Sequence, residues 1–403
     1  MTTRAPVAVL VRAITATTVA LGLATGTGPL ADPFAAEFGV GRGAVSSMFS
    51  ATLFLLLGAG LVSGPVAARH GTRGPALLGA VLVPGGLVVA AVAGSFGPAA
   101  VGVAVGVGGG AGCLFVPVLA AVGTAFHRRR SVALVLATAG AGLGTVVAPP
   151  VVLALLTAHG LRATLLLLAA GSAVVLLVCA ATAGARGEGA PDTSGPGPVA
   201  VLRDPGFRLL CAGSVGVCAA MFVPFVHLAA DAAARGPGAA TGAVLVAVVG
   251  TASVVGRLAA IPVVARVGAW PVQRVAAVVL TAALLLWLPS GGGVLRLGAF
   301  AVVFGLAHGA WVGLSAAVAA ERHGPVGLAS RIAVLHAAAA IGGLVGPGAA
   351  GWAAELLGAP VAAPAVAVVL GAAGCAALLA LGRQERDGRD RPTAGTRQET
   401  ARA

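Results

Sequence analysis

Residues 61–74 read LVSGPVAARHGTRG, and 197 residues later residues 258–271 read LAAIPVVARVGAWP. Leu, Pro, Val, Ala, Arg and Gly recur at matching offsets: Leu61/Leu258, Pro65/Pro262, Val66/Val263, Ala68/Ala265, Arg69/Arg266 and Gly71/Gly268. Each copy follows a long apolar run. Near the same offset Gly144 and Pro149 return as Gly342 and Pro347. Self-similarity at a fixed spacing marks an architecture built from repeated units. The chain therefore reads as two related halves of roughly 200 residues in parallel orientation.

The composition says which solvent those halves need. Of 403 residues, 58% are hydrophobic and 9% are charged, and the mean hydropathy is +1.02. Water-soluble domains carry about 25% charged residues, so this chain has too little polar surface to cover itself in water. Its apolar runs fill most of the length, which makes the lipid bilayer its solvent. Twelve runs reach the ~20 residues that cross ~30 Å of hydrocarbon: 8–29, 44–63, 75–95, 99–122, 131–157, 162–184, 207–229, 241–263, 271–289, 294–319, 330–352 and 360–382. The expected fold is an all-α membrane protein, twelve transmembrane helices in two six-helix bundles. Residues 1–184 form the first bundle and 207–382 the second. A Gly/Pro-rich cytoplasmic linker covers 185–206, and a disordered cytoplasmic tail covers 383–403.

The net charge of +13 comes from arginine alone, because the chain has no lysine. With Ala, Gly and Val dominating, that bias points to a GC-rich bacterial genome. Nucleic-acid binding is not the reading, since the arginines sit in short loops and the tail. With both termini inside, about twenty arginines lie in cytoplasmic segments and Arg42, Arg162, Arg235 and Arg296 lie outside, an asymmetry that fixes orientation as N-in, C-in. Arg257 alone is left within a span. The N-terminal run resembles a secretory signal in its charge-then-apolar order, but similar spans continue to residue 382 and it reads as the first membrane helix.

Polar residues are unevenly placed. Spans three, six, nine and twelve are nearly pure aliphatic, as expected of helices at the outside of three-helix units. Hydroxyls and imidazoles gather in span one (with Thr18), span two, and in His227, His308 and His336 of spans seven, ten and eleven. Buried in lipid, such groups must face water or a neighbouring helix. Glycine runs at 106–112 and 140–144 allow close helix approach. The five cysteines lie in apolar spans with neither CxxC spacing nor a partnering histidine, so neither a disulfide framework nor a metal site is expected. No HExxH, GxSxG or Walker loop occurs, which removes the usual grounds for an enzyme.

These residues resemble the major facilitator superfamily over essentially the whole chain. The loop after span two matches its signature as Gly64, Arg69, Gly71 and Arg73, with Ala68 and Ala265 where the family usually has the Asp that helps latch the cytoplasmic gate. Within the superfamily the chain is similar to the monocarboxylate and oxalate:formate branch: AFHRRRSVAL (125–134), ATAGAGLGTVVAPPV (137–151), GLR (160–162), FVPFVHLAADAAARG (222–236), VVGRLAAIP (254–262) and IGGLVGPGAAGWAAELLG (341–358) follow its progression. The resemblance implies a secondary transporter for a small organic solute, a monocarboxylate-like anion. It also implies that Arg257 contacts a substrate carboxylate, where many relatives add an Asp one turn earlier and this chain has Ser253. His227, His308, His336 and Thr18 complete the expected substrate-binding set, and with no mid-membrane carboxylate the imidazoles are the available proton carriers. Export of a hydrophobic metabolite or drug is the alternative. The Arg in span four and the Gly/Pro template in span five that mark drug:proton antiporters are missing. A channel and a non-transporting membrane sensor are further alternatives. The expected partners are a small-molecule substrate, the bilayer and protons as coupling ion, with no cofactor and a monomeric chain.

Overall fold

The computed structural model describes residues 4–25, 28–126, 129–183, 196–234, 238–288, 293–357, 359 and 361–390. Most of the expected linker, the tail from residue 391, and Arg128 and Arg235 lie outside that set. Among the described residues every regular element is helical. The first half holds α1 (Arg4–Thr25), α2 (Ala31–Phe38), α3 (Arg42–Gly58), α4 (Gly60–His70), α5 (Arg73–Val92), α6 (Phe96–Val101), a π-helical stretch Gly102–Gly109, α7 (Gly110–Ala125) and α8 (Arg130–Ala181). After the short α9 (Pro198–Val201) come α10 (Pro205–Ala234), α11 (Gly238–Val267), α12 (Ala269–Trp287), α13 (Val294–His323), α14 (Leu328–Leu357) and α15 (Ala362–Asp390).

Eleven helical segments among the described residues are long and apolar enough to cross a bilayer. One of them, α8, has 52 residues, about 78 Å of helix and more than twice the hydrocarbon thickness. Gly160 breaks it at φ 73°, ψ 178°, a conformation that only glycine adopts without strain. Helix ends otherwise fall several residues from the predicted limits: α10 runs from 205 to 234 where apolarity gave 207–229, and α15 runs to Asp390. Backbone hydrogen bonding continues past the apolar slab, whereas an apolar count stops at its edge.

The internal repeat is realised in the packing. The turns that follow α4 and α11 use Gly71 (φ 85°, ψ 165°) and Gly268 (φ 87°, ψ 169°), the same backbone conformation 197 residues apart. A Cβ on Gly108 would meet the Thr52 carbonyl oxygen at 2.4 Å, and one on Gly305 would meet Val249 O at 2.6 Å. Gly112 and Gly309 face Leu56 O and Ser253 O in the same way. Gly144 lies against Thr18 and Gly22 of α1, and Gly342 against Val215 and Ala219 of α10. Each partner sits 197 residues from its counterpart. The glycine runs thus buy backbone contact, in matched places in both halves.

Helices before residue 184 pack chiefly among themselves, as do those after 205. The two sets meet along a seam made by α3, α4, α7 and α8 on one side and α11, α13 and α14 on the other. Away from the seam, α5, α12 and the last part of α8 present Leu78, Val81, Val278 and Val174 outward. Val62, Leu295 and Leu356 are more than 70% exposed. Large aliphatic side chains spread this widely over a surface belong to a molecule that lies in lipid. The chain is a multi-pass membrane protein.

One element was not foreseen. The α2 helix, ended by Gly39 in the left-handed conformation, buries Phe34 completely and sets Phe38 edge-to-face with Phe96 (6.2 Å between ring centroids). Glu37 accepts a hydrogen bond from Arg162 Nε at 2.9 Å, an exposed pair worth at most about 1 kcal/mol. Eight residues are too few to register as a membrane span.

Candidate functional site

Arg257 lies on α11 nine residues, ~13 Å of helix, before Arg266 in the last turn of the same helix. It is 5% exposed. Its Nη1 crosses the seam and donates to the Thr138 carbonyl oxygen of α8 at 2.7 Å, while Nε has no partner. Thr138 Oγ1 in turn donates to Gly313 O of α13 at 3.2 Å, and to its own helix at Val135 O. Three helices from the two sets of the fold are therefore tied at one point. A guanidinium carries five N–H donors, and one neutral carbonyl leaves most of its hydrogen-bonding capacity and all its charge unanswered. Burial of an unpaired cation is costly.

One turn before Arg257, the hydroxyl of Ser253 shares a 2.9 Å hydrogen bond with His308 Nδ1 of α13. His308 stands half-way along its helix between Phe225 (5.2 Å) and Phe304 (6.1 Å between rings). The aromatic series continues through Phe300 to Trp287, whose Nε1 donates to Asp231 at 2.7 Å. Arg257, Ser253 and His308 thus form one cluster near the middle of α11 and α13, with an aromatic wall beside it.

The other residues of the expected set lie elsewhere. His336 of α14 is buried on the same seam, its ring 5.1 Å from Phe115 of α7 and its Nδ1 without a partner. His227, near the far end of α10, donates from Nε2 to the Pro347 carbonyl at 3.0 Å, a bond between α10 and α14. Thr18 returns its hydroxyl to Ile14 O of its own helix at 2.7 Å, the common fate of a helical threonine. Two participants carried no sequence signal of their own. Thr138 answers Arg257 through a backbone carbonyl, which every residue has, and Gly313 answers the Thr138 hydroxyl through another.

The loop signature is also placed. Gly64 is buried where a Cβ would meet Ala329 O of α14 at 3.1 Å and Val116 at 3.2 Å. Gly71 ends α4, and Arg69 and Arg73 are exposed. In the second copy, Glu321 of α13 accepts from the backbone N–H groups of Ala269 (2.6 Å) and Trp270 (3.3 Å), capping the first turn of α12 where acidic charge is favourable. Trp270 lies under the guanidinium of Arg322 at 4.7 Å.

The family model of the Major Facilitator Superfamily matches residues 13–330. The chain belongs to this superfamily. Among curated members it is 29% identical over 306 residues to the MFS-type transporter opdF of Penicillium oxalicum, covering 75% of this chain and 72% of that one. It is 30% identical over 314 residues to human monocarboxylate transporter 11, covering 72% and 64%. It is 27% identical over 272 residues to the fujikurins efflux protein of Gibberella fujikuroi, covering 67% and 58%. For the last two, the chain spans less than two thirds of the relative's length. The fold matches the crystal structure of the major facilitator FucP in the outward conformation at a TM-score of 0.74, 15% identity, over 92% of this chain and 98% of that one. The seam, the matched glycine contacts and the signature loop are therefore those of a major facilitator.

Proposed function

We propose that this facilitator is a secondary active transporter for a small, monocarboxylate-like organic anion, working by alternating access. In this reading residues 1–184 and 207–382 are two six-helix bundles joined by the linker 185–206. Gly160 divides α8 into the fifth and sixth of twelve crossings. An even number of crossings puts both termini on one face, and the arginine balance makes that face cytoplasmic, in the cell membrane. Arg257 anchors the substrate carboxylate, with Ser253 and His308 completing the site and His308, whose ring nitrogens can take up and release a proton, carrying the coupling proton.

The observation that carries the proposal is Arg257 itself: a buried guanidinium on the seam that donates to a neutral carbonyl and whose Nε is unpartnered. A carboxylate answers it with charge-assisted, bidentate hydrogen bonds. Across the seam Gly64 packs against Ala329 and Gly123 against Leu328, near the ends of α4, α7 and α14 that carry the signature loop and Arg130, which supports a state closed on that side. The test is uptake of labelled monocarboxylates and of a lipophilic cationic drug into proteoliposomes, with and without an inward proton gradient. Saturable uptake of carboxylates alone supports the proposal. Saturable transport of the drug alone favours export of hydrophobic compounds, a reading supported by the phenylalanines beside His308 and by the efflux protein among the relatives.

A further inference from the structure

Arg257 stands where the first half has Gly60, and Gly313 stands where the first half has Val116, each pair 197 residues apart. The exchange is reciprocal. A Cβ on Gly60 would lie 2.4 Å from a methyl of Val116, so valine occupies the room the glycine leaves. A Cβ on Gly313 would lie 3.0 Å from Cγ of Arg257, so there the arginine stem occupies it. The flanking backbone approaches, Gly108 with Gly305 and Gly112 with Gly309, are the same in both halves. Across the seam a third glycine closes the slot: a Cβ on Gly142 would lie 3.1 Å from Nη1 of Arg257 and 3.5 Å from Val254.

The geometry points to Gly313 and Gly142 as positioning residues for the anion site. Gly313 gives the aliphatic stem of Arg257 its channel, and Gly142 gives the guanidinium its place beside the Thr138 carbonyl. At 3.0–3.1 Å an added methyl forces its neighbour to yield by a few tenths of an ångström. The stem is bounded by α13 on one side and the seam on the other, so the yielding turns the planar fork, and a bidentate carboxylate contact depends on that plane. The link to substrate rests on reading Arg257 as the anion anchor; the slot does not.

The experiment separates the two. Gly313→Ala, Gly142→Ala, Arg257→Ala and the pairwise combinations are reconstituted, and KM and Vmax for labelled carboxylate uptake are measured. Gly313→Ala is expected to raise KM about tenfold with Vmax held within about twofold, and Gly142→Ala to act in the same direction. In the Arg257→Ala background neither glycine change alters the residual uptake, because both act through the arginine. Melting temperatures of the purified proteins test the slot without substrate. Gly313→Val lowers the melting temperature, and adding Arg257→Gly, which recreates the first-half pair, restores it while uptake stays lost. An unchanged KM in Gly313→Ala, or a melting loss that persists in the double exchange, overturns the inference. If the wild type takes up no carboxylate, the functional reading fails and the melting temperatures alone decide the slot.

Discussion

At the scale of single residues, the proposed transport chemistry reduces to how one guanidinium is satisfied. Lysine at 257 keeps the charge but loses the planar fork. Arg257→Lys is therefore expected to retain transport with a KM raised about tenfold, the worth of about 1.4 kcal/mol of charge-assisted hydrogen bonding. Ser253→Ala removes the partner of His308 Nδ1 and leaves Arg257 in place. It should cost about fivefold in kcat/KM, matching about 1 kcal/mol for one hydrogen bond. His308→Gln keeps a hydrogen-bonding side chain but cannot titrate, so uptake should persist while its stimulation by an inward proton gradient disappears. Stimulation that survives in His308→Gln moves the coupling elsewhere. Arg257 was legible in the sequence because a charge within an apolar span has to be accounted for. Its Thr138 partner was not, since a carbonyl oxygen belongs to every residue and only the fold says which one faces the seam.

At the scale of elements, helix pairs approach through glycine at positions repeated 197 residues apart. Gly112→Ala and Gly309→Ala place a methyl against Leu56 O and Ser253 O, at 2.4 and 1.7 Å before relaxation. Overpacking of this kind costs about 1–3 kcal/mol, so both variants should melt clearly below the wild type. Gly85→Ala, on an exposed stretch of α5 with nothing within 4 Å of its Cβ, should leave the melting temperature unchanged or slightly raised. Equal behaviour of all three would mean that the matched contacts do not hold the helices. The elements themselves were legible wherever twenty apolar residues ran together and a glycine or proline closed them. The α2 helix escaped because its eight residues depend on burying Phe34 against the rest of the first half, a tertiary effect. His227 was legible as a polar group in an apolar span, but its bond to the Pro347 carbonyl follows only once α10 and α14 are adjacent.

At the scale of the whole molecule, the repeat carries the architecture, and in the proposed reading the arginine asymmetry sets its orientation. A fluorescent protein fused after residue 390 should fluoresce, and alkaline phosphatase fused there should stay inactive, because that end is expected inside. The reverse pattern would turn the molecule over, and with it the side on which the seam is tied. The two halves share their backbone contacts and differ where Arg257 replaces Gly60. That difference joins the halves through Thr138, and in the proposed reading it makes a symmetric scaffold into an anion site. The most direct test is carboxylate uptake by proteoliposomes carrying wild type or Arg257→Ala at equal melting temperature and equal incorporation. The account predicts saturable uptake by the wild type and a loss of about tenfold to a hundredfold in the variant, the worth of about 1.5–3 kcal/mol for a hydrogen bond to a charged group. Undiminished uptake by Arg257→Ala would contradict it.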